Sequence, residues 1–302
     1  MNVDRAERGP SSGSSLTALA GRGFGAIPPT ALVLLGIVSV QVGSALAKHL
    51  FDAVGSFGTV ALRLFFAAVV LLLLWRPSPR VSRRTWAVIA GYGVTLGLMN
   101  LCFYLSLSRI PLGIAVTTEF LGPLAVALAG SRRWPDALWA VLAAGGVVLL
   151  MEGGGDLDPV GLLFALAAGT CWGLYILVGA ALGRHTTEGD GLALGMAVAA
   201  LVAVPFGVAD SGTALVQPWV LVAGVGVALL SSVIPYSLDL EALRKVPPHV
   251  FGILMSLEPA MAALIGLIVL RESLHWTQWI AVVCVVAASA GATRGAPPPE
   301  GQ

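Results

Sequence analysis

The sequence predicts an all-α polytopic membrane protein, with ten transmembrane helices arranged as two inverted five-helix repeats. Three observations lead there: an apolar composition, a one-sided distribution of basic residues and a weak internal repeat. Of the 302 residues, 57% are hydrophobic and only 11% are charged, and the mean hydropathy is +0.89. A soluble domain carries about 25% charged residues to cover its surface. One span needs roughly 20 apolar residues to cross about 30 Å of hydrocarbon. Turn residues and charges punctuate the chain into ten such runs, at 31–51, 59–75, 86–107, 112–130, 135–151, 159–181, 190–207, 217–240, 249–270 and 275–292. The fifth and seventh are short, and Pro205 lies near the end of the seventh.

Basic residues test this count independently, because cytoplasmic loops carry the excess of Lys and Arg. With the N-terminus inside, the inner segments hold Arg5, Arg8, Arg22, Arg76, Arg80, Arg83, Arg84, Arg132, Arg133, Arg184, Arg244, Lys245 and Arg294, which is 13 of the 17 basic residues. The outer segments hold two, Arg109 and Arg271, and the loop from Glu152 to Asp158 holds three acids and no base. The expected topology places both termini in the cytoplasm, in a bacterial cytoplasmic membrane. Residues 1–30 are rich in Ser, Gly and Pro and read as a disordered cytoplasmic tail, with a second tail at 293–302.

Setting Pro123 against Pro259 brings Arg109-Ile-Pro111 onto Lys245-Val-Pro247 at the same offset. Gly43 pairs loosely with Gly173. The expected units are therefore 31–151 and 159–292. Five spans is an odd number, so the second unit enters the membrane from the opposite side. Inverted repeats of this kind surround a midplane site in alternating-access carriers. Small residues such as Gly91, Gly93, Gly145, Gly146, Gly224 and Gly226 suit close helix packing.

Ionisable residues at membrane depth are expensive and usually face a cavity or a partner. Lys48, near the outer end of the first span, either snorkels to the interface or faces the interior. Arg63 is placed for an ion pair with Asp52 or Glu119, or for a substrate. Glu119, near the middle of the fourth span, suits pairing with Lys48 or Arg63, a substrate ammonium or proton exchange. Glu258 precedes Pro259, whose missing donor opens local carbonyls toward a cavity. It reads as a cation or proton site, or as a structural cap. Asp239 and Glu241, beside Arg244 and Lys245, form an expected solvated cluster at the inner interface. Asn100, Tyr104, Thr117, Thr118, Trp172, Tyr175, Tyr236 and Ser256 are candidate cavity liners, although Tyr104 and Tyr236 also suit interface anchoring.

Other chemistries find little support. No basic patch is interleaved with aromatics, so nucleic acid is not an expected partner. Cys102, Cys171 and Cys284 lie in apolar runs, without zinc spacing, and read as small buried hydrophobes. His49, His185, His249 and His275 are scattered near span ends, which argues against an enzyme. No metal or cofactor is expected.

Several stretches carry a family resemblance: SVQVGSALAKHLF (39–51), Ala61-Leu-Arg63-Leu, MNLCFYLSLSRIPLGIAVTTEFLGPLAVAL (99–128), CWGLYILVG (171–179), PYSLDLEAL (235–243) and FGILMSLEPAMAALIG (251–266). Through them, residues 31–292 resemble the EamA-type branch of the drug/metabolite transporter superfamily, and within it the bacterial threonine/homoserine exporters. The resemblance implies a ten-helix inverted-repeat carrier that exports small metabolites in exchange for protons, with the lipid bilayer and a small-molecule substrate as its partners. Lys48, Arg63, Glu119, Asp239 and Glu258 match charged positions of the exporter pattern. Glu241 and the long basic N-terminal tail depart from it. A zwitterionic amino acid requires one anionic and one cationic contact, which these residues supply. Export of another metabolite or an amphiphilic drug is the alternative; a more aromatic cavity would mark it, and aromatics are 7% of the chain.

Overall fold

The computed structural model describes residues 27–129, 134–152, 157–186, 188–243 and 245–295. The two tails (residues 1–26 and 296–302), Arg132, Arg133, residues 153–156 and Arg244 lie outside the described residues. All regular secondary structure among the described residues is helical. Its elements are α1 (Pro29–Trp75), α2 (Arg83–Leu107), α3 (Leu112–Glu119), α4 (Leu121–Ala129), α5 (Trp134–Glu152), α6 (Pro159–Gly183) and α7 (Glu188–Ser211). They continue with α8 (Pro218–Ala228), α9 (Ile234–Leu243), α10 (Pro248–Met255), α11 (Glu258–Val269) and α12 (Trp276–Gly295). Eight helices among the described residues are long and apolar enough to cross a membrane, and Ala137–Leu150 is a shorter apolar helix.

The first two expected spans are joined directly, without the loop expected between them. At 1.5 Å per residue, the 47 residues of α1 would measure about 70 Å if straight. The helix instead breaks at Val54 (φ −135°, ψ 15°) and Gly55 (φ 61°, ψ 178°). That second conformation is essentially restricted to glycine, and a Cβ at Gly55 would also lie 2.6 Å from a carboxylate oxygen of Asp210. The broken turn is re-satisfied locally. Ser211 Oγ donates to the Val54 carbonyl at 2.6 Å, and Thr59 Oγ1 donates to that of Gly55 at 2.7 Å. The arm after the break runs along α7, with Phe57 stacked on Phe206. The arm before it runs along α9 and α11, with Gly36 against Asp239 and Gln41 bonded to Glu258.

Two further expected spans are each broken near their middle, in the same way. Pro111 and Pro247 stand at the head of eight-residue helices, α3 and α10, with nearly identical backbone angles (φ −58°, ψ 146° and φ −59°, ψ 144°). After each, the chain makes one tight turn, at Phe120 and at Ser256–Leu257, before α4 and α11 begin. Pro123 and Pro259 have no N–H to offer the preceding turn, so both helices yield at those points. The repeat that aligns Pro123 with Pro259, legible in the sequence, is thus also a recurrence of backbone shape. Pro205 does not end α7, which continues to Ser211.

Between α8 and α9 the helix widens into a π turn, Leu229–Val233. Widening withdraws carbonyls from the regular ladder. Two of them are used: Leu230 accepts from Ser39 Oγ at 2.8 Å and Ser231 accepts from Arg63 at 2.9 Å. Close approach depends on small residues. A Cβ on Gly122 would collide with the Gly169 carbonyl oxygen, and one on Gly169 would lie 2.5 Å from that of Glu119. Gly145 in α5, by contrast, has open space around its Cα. Gly122→Val is therefore expected to abolish the monodisperse peak in detergent size-exclusion chromatography. Gly145→Ala should leave both that peak and the melting temperature unchanged or slightly raised.

Candidate functional site

The broken helices converge on a cavity of about 460 Å³, bounded by both arms of α1 and by α2, α3, α6, α9, α10 and α11. Eight of the residues singled out from sequence line it: Arg63, Asn100, Glu119, Trp172, Tyr175, Tyr236, Asp239 and Glu258. Arg63 is 6% exposed and is held on several sides. Its Nε donates to Ser232 Oγ at 3.2 Å, Nη1 to the Tyr104 hydroxyl at 3.3 Å and Nη2 to the Ser231 carbonyl at 2.9 Å. Its guanidinium also sits 5.5 Å from the centre of the Tyr104 ring. The expected ion pair with Asp52 or Glu119 is not formed; among the described residues Arg63 has no carboxylate within 4 Å. A guanidinium has five N–H donors, so two remain for a ligand.

The acids on the cavity wall are likewise free of ion pairs among the described residues. Glu119 closes α3, and its backbone is pressed against Gly169 of α6. Glu258 opens α11, where the helix dipole favours a negative charge. Glu258 Oε1 accepts from Gln41 Nε2 at 3.2 Å, while its Oε2 has no partner. Asp239 separates from Glu241, in contrast to the expected common cluster. Glu241 pairs with Lys245 at 3.0 Å, whereas Asp239 lines the cavity with Oδ1 unpartnered.

Aromatic rings fill much of the remaining wall. Tyr92 donates to the Tyr175 hydroxyl at 2.7 Å with the rings 4.7 Å apart, and Tyr236 lines the same cavity. Phe103, Trp172 and Phe251 complete the lining, with Trp172 edge-on to Phe120 at 5.4 Å. Tyr104 and Tyr236 are therefore interior residues and not interface anchors. The low aromatic content of the whole chain also misjudges the cavity, because the fold gathers aromatics there. Asn100 spends one amide hydrogen on the Leu96 carbonyl at 2.9 Å, which stiffens its orientation.

Besides Glu241, five residues named from sequence stand away from the lining: Lys48, Tyr104, Thr117, Thr118 and Ser256, with Thr117 donating to the Gly113 carbonyl at 2.6 Å and Ser256 to that of Gly252 at 3.0 Å. Thr118 is 1% exposed, with its hydroxyl unpartnered. Lys48 does not line the cavity. Its Nζ pairs with Glu272 Oε1 at 2.5 Å and donates to the Ile110 carbonyl at 3.3 Å, while Glu272 Oε2 accepts from the Leu112 N–H at 2.8 Å. Three distant segments are tied by this one knot. On the same side, Arg109 pairs with Asp158 at 2.9 Å, and Asp158 caps α6 through the Val160 N–H. The bond from Arg109, then that from Val160, holds the exposed Asp158 carboxyl below the usual carboxylate range. Its stabilisation is present at neutral pH and is lost as pH falls through that lowered value. Sequence reasoning missed Gln41, Tyr92, Ser231, Ser232 and Glu272.

A multi-pass helical bundle whose interrupted helices enclose a polar cavity, with fixed charge on its wall, defines a membrane transporter. The chain belongs to the EamA-like transporter family, whose pattern matches residues 159–294. It is 44% identical over 269 residues to the threonine/homoserine exporter RhtA of Escherichia coli K12, covering 88% of this chain and 91% of that protein. The RhtA of Salmonella typhimurium LT2 is 43% identical over the same length and coverage. An uncharacterized transporter of Bacillus subtilis, YwfM, is 23% identical over 76% of this chain and 81% of its own. A protein crystal structure, 22% identical, superposes with a TM-score of 0.59 over 87% of this chain and 96% of its own, a likeness of fold alone.

The Lys48–Glu272 knot generates a stability prediction. Lys48→Ala and Glu272→Gln should each lower the melting temperature in detergent. The double variant should fall short of their sum by a coupling of roughly 0.5–3 kcal/mol. Strict additivity would show that the pair carries no net stabilisation.

Proposed function

We propose that the protein exports small amino acids of the threonine and homoserine kind across the cytoplasmic membrane, in exchange for protons. The observation that carries this reading is a cavity whose wall holds an immobilised guanidinium and several carboxyls, none of them paired with another. A zwitterion complements such a wall: its carboxylate meets Arg63 and its ammonium meets Glu258 or Glu119. Similarity to the RhtA exporters over most of the chain supports the substrate class.

Proton coupling follows if one carboxyl accepts either a proton or the substrate ammonium, but not both. Export of the amino acid then leaves the carboxyl to return with a proton. The recurrence of the Pro-headed, broken helix supports two inverted repeats, 31–151 and 159–292, rocking about the cavity. Counting the arms of α1 separately and admitting Ala137–Leu150 yields ten crossings. Even parity and the excess of basic residues favour both termini in the cytoplasm. The aromatic wall favours a second reading, a larger amphiphilic metabolite on the same scaffold.

Efflux of preloaded radiolabelled threonine and homoserine, from cells lacking their own exporters, tests the proposal. The wild type should accelerate efflux, more so under an inward proton gradient. Arg63→Ala should reduce it at least tenfold, since hydrogen bonds to charged groups contribute about 1.5–3 kcal/mol. Gradient-dependent efflux should vanish in Glu119→Gln or Glu258→Gln. Undiminished, gradient-dependent efflux with both glutamates replaced would sink the coupling scheme. Inhibition by aromatic amphiphiles and none by amino acids would favour the second reading.

A further inference from the structure

We propose that Gln41 is a substrate-contacting residue that, together with Glu258, forms a receptor selective for a primary ammonium group. The inference rests on the amino-acid reading for its physiological ligand but adds a residue and a selectivity that reading does not contain. Gln41 lies in the first arm of α1, is 2% exposed and lines the cavity. Its amide is oriented by chemistry. While Glu258 is ionised it only accepts, so Nε2 faces it, in a bond of 3.2 Å. The amide oxygen is thereby turned away from Glu258. Among the described residues, no donor reaches Gln41 Oε1 or Glu258 Oε2, and both atoms are buried.

Two orphaned acceptors on bonded neighbours, one of them a carboxylate, specify what they want. Leaving them unpaired costs free energy that a ligand with convergent N–H donors recovers. A hydroxyl supplies one donor; a primary ammonium supplies three, with a positive charge. Asp239 extends the same wall. Its unpartnered Oδ1 lies where a Cβ on Gly36 would be 3.1 Å away. Gly36 is five residues before Gln41, roughly 7–8 Å along the helix. A cation moving through the cavity thus passes from one carboxyl to the other. Gly36 leaves room for Asp239, and Gln41 fixes the end point.

Binding of three ligands to the purified protein in nanodiscs tests this: threonine, threoninol (the amine without a carboxylate) and N,N-dimethylthreonine (a single N–H donor). The wild type should bind the dimethyl compound at least tenfold more weakly than threonine. Gln41→Met, similar in length and without an acceptor oxygen, should shrink that preference about tenfold. Gln41→Glu, which keeps an acceptor, should preserve it and also serves if Gln41→Met does not fold. Unchanged selectivity in Gln41→Met, equal loss in both variants, no selectivity in the wild type or binding of neither amine would each overturn the proposal. Gln41-dependent binding of threoninol without binding of threonine would uphold the ammonium receptor and refute the amino-acid reading.

Discussion

In hydrocarbon, every backbone N–H and C=O must find its partner inside the protein, and the rest of this structure depends on that constraint. It makes helix the regular structure of the described residues. It also makes each departure from helix informative, because an interruption survives only where something else satisfies the freed groups. The break at Val54–Gly55 is met by Ser211 and Thr59 hydroxyls. The π turn at Leu229–Val233 passes carbonyls to Ser39 and Arg63. The turns at Phe120 and Ser256–Leu257 sit next to prolines. Three of these four irregularities border the cavity, so the places where the backbone ladder is relaxed are also the places where side-chain chemistry is presented.

The charged groups divide by the same logic into two kinds. Lys48 and Glu272 satisfy each other and the adjoining backbone, so they fasten segments together without offering anything to a ligand. Arg63 is satisfied by neutral oxygens only, which hold its position while leaving its charge uncompensated. Serine and tyrosine ligands in place of a carboxylate keep the guanidinium available, and the cavity acids remain available for the same reason. The polar interior is thus organised around separation of charge rather than pairing of it.

Much of this was legible in the sequence. Charge at membrane depth is costly enough that Arg63, Glu119 and Glu258 stand out without any structure, and all three line the cavity, whereas Asp239 reads as part of an interfacial cluster until the fold parts it from Glu241. The Pro-headed repeat was visible because proline imposes its geometry wherever it occurs. What escaped was of other kinds. Gln41, Ser231 and Ser232 are neutral, and a small polar residue in a span is too common to attract notice. The π turn has no sequence signature. Glu272, in the opposite half of the chain from Lys48, reads as an ordinary loop acid until the fold brings them together. Tyr104 and Tyr236 were drawn toward the interface by their positions near span ends, although the Tyr104 hydroxyl accepts from Arg63 and Tyr236 lines the cavity. The junction of the first two spans was masked because the segment between them looks like a loop, and only Gly55 carries a conformational reason for a break.

The ligands of Arg63 also set an order of events during synthesis. Its oxygen partners Ser231 and Ser232 lie 168 and 169 residues further along the chain. At 5–20 residues per second, on the order of ten to thirty seconds separate the appearance of the arginine from that of its ligands. An arginine at the centre of a helix opposes insertion by about 2.5–3.5 kcal/mol. For most of that interval the only one of its oxygen partners yet made is the Tyr104 hydroxyl, 41 residues on. The helices that precede Ser231 therefore cannot by themselves complete the set of oxygens that holds Arg63.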